Sequence, residues 1–211
     1  MRDLVYFIAA SIDGLIADPT GDFSRFPVDP ATLAVLFERY PETCPTHVRA
    51  ALGITAEPRR FDTVIMGSGT FAPGLDAGLI GGAYPHLRQV VATHRALDPA
   101  DGVETVAGDS ASILARVAEL KAEPGRDIWL AGGGDLAAQL MPLIDEVQVK
   151  VNPLVLGDGI PLFGRRGAAA SGPSANPAAD LAAASLARDL SLVSSEPLPG
   201  GVVLNTYRSA A

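Results

Sequence analysis

"DIWLAGGGDLAAQLM", residues 127–141, decides how this chain is read. An apolar run ends in three consecutive glycines, Gly132, Gly133 and Gly134, and then passes through Asp135 and Leu136 into a helix-like pattern. Glycine costs roughly 1 kcal/mol against alanine inside a helix. Three in a row at a strand-to-helix junction therefore mark either unusual backbone torsions or the close approach of another group. "IMGSGTFA", residues 65–72, is a second junction of the same kind. In an open α/β sheet, ligands collect beyond the carboxyl ends of the strands. A helix N-terminus there offers unpaired N–H groups and partial positive charge to a phosphate. Gly67, Ser68, Gly69 and Thr70 at one junction, with Gly132 to Leu136 at the other, form a candidate nucleotide cradle. The competing reading is a pair of tight turns with no ligand.

The flanking sequence supplies a frame. "LVYFIAAS" (4–11), "FDTVIMG" (61–67), "RQVVATH" (88–94), "GVETVAG" (102–108) and "DIWLAG" read as strands, being rich in β-branched and aromatic residues between turn signals. "DPATLAVLFERY" (29–40) reads as a helix with Asp29 as cap and Pro30 in its first turn. "THVRAALGI" reads as a short helix, and "DSASILARVAELKA" (109–122) as an amphipathic helix capped by Asp109 or Ser110. "DEVQVKVNPLVLG" (145–157) alternates at period two, and "LSLVSSEPL" and "VVLNTYRS" close the chain as an antiparallel pair around "PGG". The expected fold is an α/β sandwich of three layers, with a mostly parallel sheet and antiparallel C-terminal strands. One domain is expected over residues 1–211, interrupted by a low-complexity insertion at about 165–187.

Composition narrows the function. A hydrophobic content of 48% with 19% charged residues is that of a globular chain. The net charge of −8 argues against nucleic acid as a partner, since phosphate binding needs a basic face. No apolar run is long enough to span a membrane, and the N-terminus lacks a signal-peptide pattern, so a cytoplasmic protein without a membrane partner is expected. Cys44 is the only cysteine, which excludes an intrachain disulfide and a cysteine metal site. In "YPETCPTH" it is either a nucleophile near His47 or, the favoured reading, a half-buried thiol in a turn between helices. His86 and His94 are not spaced as a metal pair, and no metal is expected.

Gly67 to Ala72 also fits G-x-G-x-x-[GA], but it follows the second apparent strand rather than the first. The next strand ends in "VVATHR" (90–95), with His and Arg where a dinucleotide fold keeps an acid. Thr93, His94 and Arg95 offer a hydroxyl and two potential cations, a group suited to a 2′-phosphate and hence to NADPH over NADH. The alternative is a solvated strand end.

In this order, "AASIDGLIA" (9–17), "VIMGSGTF", "VVATHR", "WLAGGGDLAAQLM" and "VNPLVLGDGIPLF" (151–163) resemble the dihydrofolate reductase superfamily. The nearer branch is that of the C-terminal reductase domain of bifunctional riboflavin-biosynthesis proteins. The resemblance implies an NADPH cofactor, a homodimer, and a cis peptide between Gly132 and Gly133 beneath the cofactor pyrophosphate. It places Ala9 and Ile16 near the nicotinamide, and Ser11 and Asp13 at the substrate pocket. Asp13 then orients a polar ring or relays a proton, or else is only a turn residue in Ile-Asp-Gly; Asp158 is divided in the same way.

Three positions depart from the family pattern. Ser68 stands where an Arg is usual, Thr32 where folate enzymes keep their acid (Asp29 being a substitute or merely the helix cap), and Ala131 where riboflavin-pathway members carry Glu. The zinc deaminase signature of the bifunctional proteins is missing. The expectation is an NADPH-dependent reductase of a small polar heterocycle or carbonyl compound, related to the pyrimidine reductase of riboflavin biosynthesis and to dihydrofolate reductase. The alternative is a non-catalytic NADPH-binding protein of the same fold.

Overall fold

The uncharged run "LVYFIAA" suits a strand covered on both faces, and it forms β1 (Leu4–Ala10) inside an eight-stranded sheet. The computed structural model describes residues 1–79, 81–94, 103–164 and 188–209; the expected insertion at 165–187 lies outside them. After β1 come β2 (Leu15–Ala17), α1 (Pro30–Arg39), α2 (Thr46–Leu52), β3 (Phe61–Gly67), α3 (Ser68–Asp76), β4 (Arg88–Thr93) and β5 (Val103–Ala107). Next are α4 (Ser110–Ala122), β6 (Asp127–Gly132), α5 (Gly134–Leu140), β7 (Glu146–Val151), β8 (Ile160–Pro161), β9 (Leu190–Pro197) and β10 (Val203–Ser209). No helix among the described residues is long and apolar enough to cross a membrane.

The sheet order is β5-β4-β3-β6-β1-β7-β10-β9. The strands from β5 to β7 pair in parallel, and β10 joins β7 and β9 antiparallel. β2 and β8 make a separate two-stranded antiparallel sheet. Alternation along each strand sends side chains to two cores. Tyr6, Ala10, Leu130 and Val149 pack with Ile113, Val117 and Leu120 of α4 and Leu136 and Leu140 of α5. Phe7, Trp129, Met66 and Leu204 pack on the opposite face with Leu36 of α1 and Phe71 of α3. The expected sandwich, mostly parallel with antiparallel C-terminal strands, is the one observed.

"SGTFAPGLDAG" (68–78) reads in the sequence as a turn with a short helix, but α3 begins directly at Ser68. A second local reading also changes. The period-two stretch at 145–157 is a strand only as far as Val151. Beyond it the chain leaves the large sheet as a loop and next pairs, as β8, with β2 in the separate sheet, so its later alternation has no strand partner.

The helix ends follow their sequence signals. Asp29 caps α1, accepting from the Thr32 N–H at 2.7 Å, and Asp109 caps α4, accepting from the Ser112 N–H at 2.9 Å. A buried carboxylate fixes where β3 starts. Glu42 is fully buried and accepts three successive backbone N–H groups, from Arg59 (3.0 Å), Arg60 (2.8 Å) and Phe61 (2.7 Å). Glu42→Ala leaves all three donors unpaired. It should destabilise the protein by about 3 kcal/mol or more, while Glu42→Gln, which keeps an acceptor, costs less. Urea unfolding followed by far-UV circular dichroism checks the order.

Candidate functional site

Helix direction around β6 opens the site. β6 sends α5 to one face of the sheet, whereas its neighbour β3 sends α3 to the other. β1, on the far side of β6, leads through β2 to α1, which also lies on the α3 face. β6 is thus flanked on both sides by a change in connection direction, the topology that places a crevice beyond the carboxyl end of a strand in open α/β sheets. Met66 pairs with Gly132 and Gly67 with Ala92, so the ends of β4, β3, β6 and β1 form one continuous row there. The two glycine-rich junctions read from the sequence are neighbours in that row.

The three glycines have three different reasons. Gly132 has φ +132°, a backbone region that side chains rarely enter, and its peptide to Gly133 is cis. Gly134 lies under the segment after β8: a Cβ there would overlap the Pro161 carbonyl oxygen, and the Gly134 carbonyl accepts from the Gly164 N–H at 3.0 Å. Gly133 has an ordinary extended conformation (φ −96°, ψ −176°), and no atom lies within 4 Å of where its Cβ would stand. The fold therefore requires Gly132 and Gly134 but not Gly133. Gly67 and Gly69, across the crevice, face open space in the same way. The open positions at Gly133, Gly67 and Gly69 thus lie at the ends of two adjacent strands, where α5 and α3 begin.

At the outer end of the row, Thr93 is buried and His94 is exposed, its ring lying against Gly108 just before α4. Arg95 falls outside the described residues. Asp135 lies in the first turn of α5 and accepts from the Gln139 amide at 3.0 Å; Gln139 in turn accepts from the Ser110 hydroxyl at 2.8 Å, linking the starts of α5 and α4. Leu136 is buried in the core, so it anchors the helix rather than reaching toward the crevice.

The N-terminal loop is held from both sides. Ser11 is buried; its Oγ accepts from the Leu15 N–H at 2.9 Å. Asp13 is exposed and accepts from the N–H groups of Leu156 (3.1 Å) and Gly157 (2.7 Å). A hydrogen bond from Ser11, followed by that from Gly157, holds the Asp13 carboxyl down at about 2. It stays ionised at neutral pH and is a poor proton donor. Ser11 and Asp13 thus clamp residues 11–15 and 156–157 together, the contacts a turn residue at Asp13 would make. Asp158 likewise accepts from the Gly159 N–H at 2.8 Å. Thr32 is buried, its hydroxyl hydrogen-bonded to Asp29 (2.7 Å) and the Pro199 carbonyl, so Asp29 is occupied as the helix cap. Ile16 packs toward the α4–α5 core and Ala9 lies on the α1–α3 face.

That face has a floor of small residues. Ala9 on β1 and Ala131 on β6 are half-buried beside Phe7 and Trp129. Beside the floor stands Lys150, the register partner of Ala9 on β7. Its ammonium is 4.1 Å from the centre of the Phe7 ring. Burial alone pulls its pKa down to about 8. The sequence reading passed over this residue, because "VQVKV" resembles a strand with a solvated polar face. The available signal was composition: Lys121 and Lys150 are the only lysines.

The sequence matches the family described as the RibD C-terminal domain over residues 2–204. Two uncharacterized proteins of Bacillus subtilis (strain 168) are relatives. YwjB is 29% identical over 164 residues, covering 77% of this chain and 83% of its own length. YyaP is 46% identical over 54 residues, covering 25% of this chain and only 29% of its own length. Among solved structures, the dihydrofolate reductase from Enterococcus faecalis complexed with NADP(H) and RAB-propyl superposes with a TM-score of 0.61 at 13% identity, covering 99% of this chain and 97% of that one. The diaminohydroxyphosphoribosylaminopyrimidine deaminase/5-amino-6-(5-phosphoribosylamino)uracil reductase from Thermotoga maritima gives 0.59 at 19% identity, over 99% of this chain and 57% of that one. Identities this low establish a shared fold.

Two measurements check the site geometry. Gly134→Ala should cost ~1–3 kcal/mol through overlap with the Pro161 carbonyl, while Gly133→Ala leaves the unfolding midpoint unchanged. Lys150 also predicts a pH dependence. Its folded pKa lies below the unfolded value of 10.5, so the unfolded chain binds more protons between about pH 8 and 10.5. Stability in that window should gain an increment that grows with pH, on the order of 3 kcal/mol when complete. The increment should be missing in Lys150→Met when both proteins are unfolded in urea across the range.

Proposed function

The chain belongs to the RibD C-terminal domain family, and on that footing we propose that it is an NADPH-dependent reductase of a small polar heterocycle or carbonyl compound. The observation that carries this reading is the open space over Gly133, at a position where the fold itself would tolerate a side chain. Gly133, with Gly67, Ser68, Gly69 and Thr70 opposite, would hold the cofactor pyrophosphate through backbone N–H groups. Thr93, His94 and Arg95 would take the 2′-phosphate. The Ala9–Ala131 floor would receive the nicotinamide, small side chains allowing a flat ring to lie close to the sheet.

When bound, the dihydronicotinamide supplies a hydride. The chain's own residues position and enclose the reacting groups. Phe7 and Trp129 keep the inner end of the floor apolar, which strengthens any polar contact made there. The Asp13 clamp fixes the loop at the end of β1, the wall nearest the floor. Ser68 in place of Arg leaves the 2′-phosphate end to the cations that follow β4.

NADPH should bind more tightly than NADH. Arg95→Ala should narrow that preference by roughly tenfold or more, the loss of a charge-assisted contact. Gly133→Val should lose NADPH binding while keeping its circular dichroism spectrum and unfolding midpoint. Titration by nucleotide fluorescence reads both. Equal affinities for the two nucleotides, or normal binding by Gly133→Val, would contradict the assigned seat.

A further inference from the structure

Several cations near Lys150 in the sheet are matched by carboxylates. Arg39 grips Glu196 with two bonds of 2.9 Å. Arg60 holds Asp127 (3.1 Å) and Glu146 (2.9 Å), and Arg208 also reaches Glu146 at 3.0 Å. Lys121, the other lysine, pairs with Asp145 at 2.5 Å. Lys150 differs. The acidic groups on the elements around it are Glu146 on its own strand, Glu196 on β9, and Glu38 with the cap Asp29 on α1; Glu146 and Glu196 are held by arginines, Asp29 by Thr32, and no ion pair joins Glu38 to Lys150. Tyr40 on α1 receives the Gln148 amide at 3.2 Å. Among the described residues the ammonium has the Phe7 ring and no carboxylate.

Its place in the sheet gives the unmatched charge a direction. Ala9, Lys150, Leu204 and Glu196 form one row across β1, β7, β10 and β9. Leu204 separates Lys150 from Glu196. On its other side the row continues to Ala9, and the ammonium leans over Phe7, on the same face of β1 as Ala9. A flat ligand on the Ala9–Ala131 floor would therefore meet a single positive charge at its edge. Holding an ammonium there without an anion weakens the folded protein, and an anionic ligand would offset that cost.

Building on the reductase reading above, we propose that Lys150 is the residue that selects the substrate: the compound reduced on this floor carries an oxyanion, a carboxylate or an ionised ring oxygen, that docks on the Lys150 ammonium. The contact is charge-assisted and stands in a partly desolvated place, so it discriminates against a neutral isostere.

With only two lysines in the chain, selective lysine labelling yields two ammonium signals by NMR, and a Lys121→Arg variant assigns them. The full-length protein, with and without NADPH, is titrated with two matched pairs, orotate against uracil and benzoate against benzamide. The anion of at least one pair should bind roughly tenfold or more tightly than its neutral partner and should raise the Lys150 pKa toward the ordinary lysine value. Lys150→Met should lose the discrimination while gaining thermal stability near neutral pH; Lys150→Arg should restore part of it. A Lys150 signal indifferent to both anions, or discrimination that survives in Lys150→Met, overturns the proposal. NADPH binding is read in the same samples by its own fluorescence. Cofactor binding without anion discrimination sinks the role of Lys150 alone, and anion discrimination without cofactor binding sinks the reductase reading alone.

Discussion

The approach of two backbones at Gly134 is the constraint on which the site depends. The segment after β8 lies directly on that residue, with the Pro161 carbonyl where a side chain would be and the Gly164 N–H bonded to the Gly134 carbonyl. Because β8 is paired with β2, the same contact fixes the loop that leaves β1. Leu162 donates to the Gly14 carbonyl, and Tyr6 donates from inside the core to the Leu162 carbonyl. The crevice beyond β6 is therefore filled on the α4–α5 side by the protein's own chain. Open space remains where a Gly133 side chain would stand.

Charge is distributed to match. Around the start of the strands, Arg2, Arg60, Arg208 and Lys121 pair with Asp62, Asp127, Glu146, Asp3 and Asp145, which fastens the end of the sheet opposite the site. At the carboxyl ends the positive potential comes instead from helix N-termini and Lys150. Acidic groups there are spent on backbone: Asp13 on the 156–157 loop, Asp29 and Asp109 on helix caps. In an acidic chain of net charge −8, several carboxylates at this end of the sheet are thus held by backbone N–H groups, while Asp135 accepts from the Gln139 amide.

Much of the fold was legible in the sequence because its signals are local. Asp29 followed by Pro30 announces α1, the β-branched runs announce β1, β3 and β4, and "PGG" announces the β9–β10 hairpin. The glycine junctions gave the row of strand ends for the same reason. Asp13 resisted a single reading, since an aspartate in a turn looks alike whether it faces a ligand or a backbone. Its partners at residues 156 and 157 are far away in sequence. Lys150 was invisible for a different reason. Period-two alternation reports which residues share a face, and it does not report whether that face is covered. β7 lies inside the sheet, between β1 and β10, and α1 covers the side that alternation alone would assign to solvent.

A crystal structure of the protein grown with NADPH tests the central claim most directly. Density for the pyrophosphate is expected over Gly133, between the first turns of α3 and α5, with the nicotinamide ring on the Ala9–Ala131 floor within reach of Lys150. A cofactor bound elsewhere on the surface, or a crevice that stays empty at saturating NADPH, would contradict it.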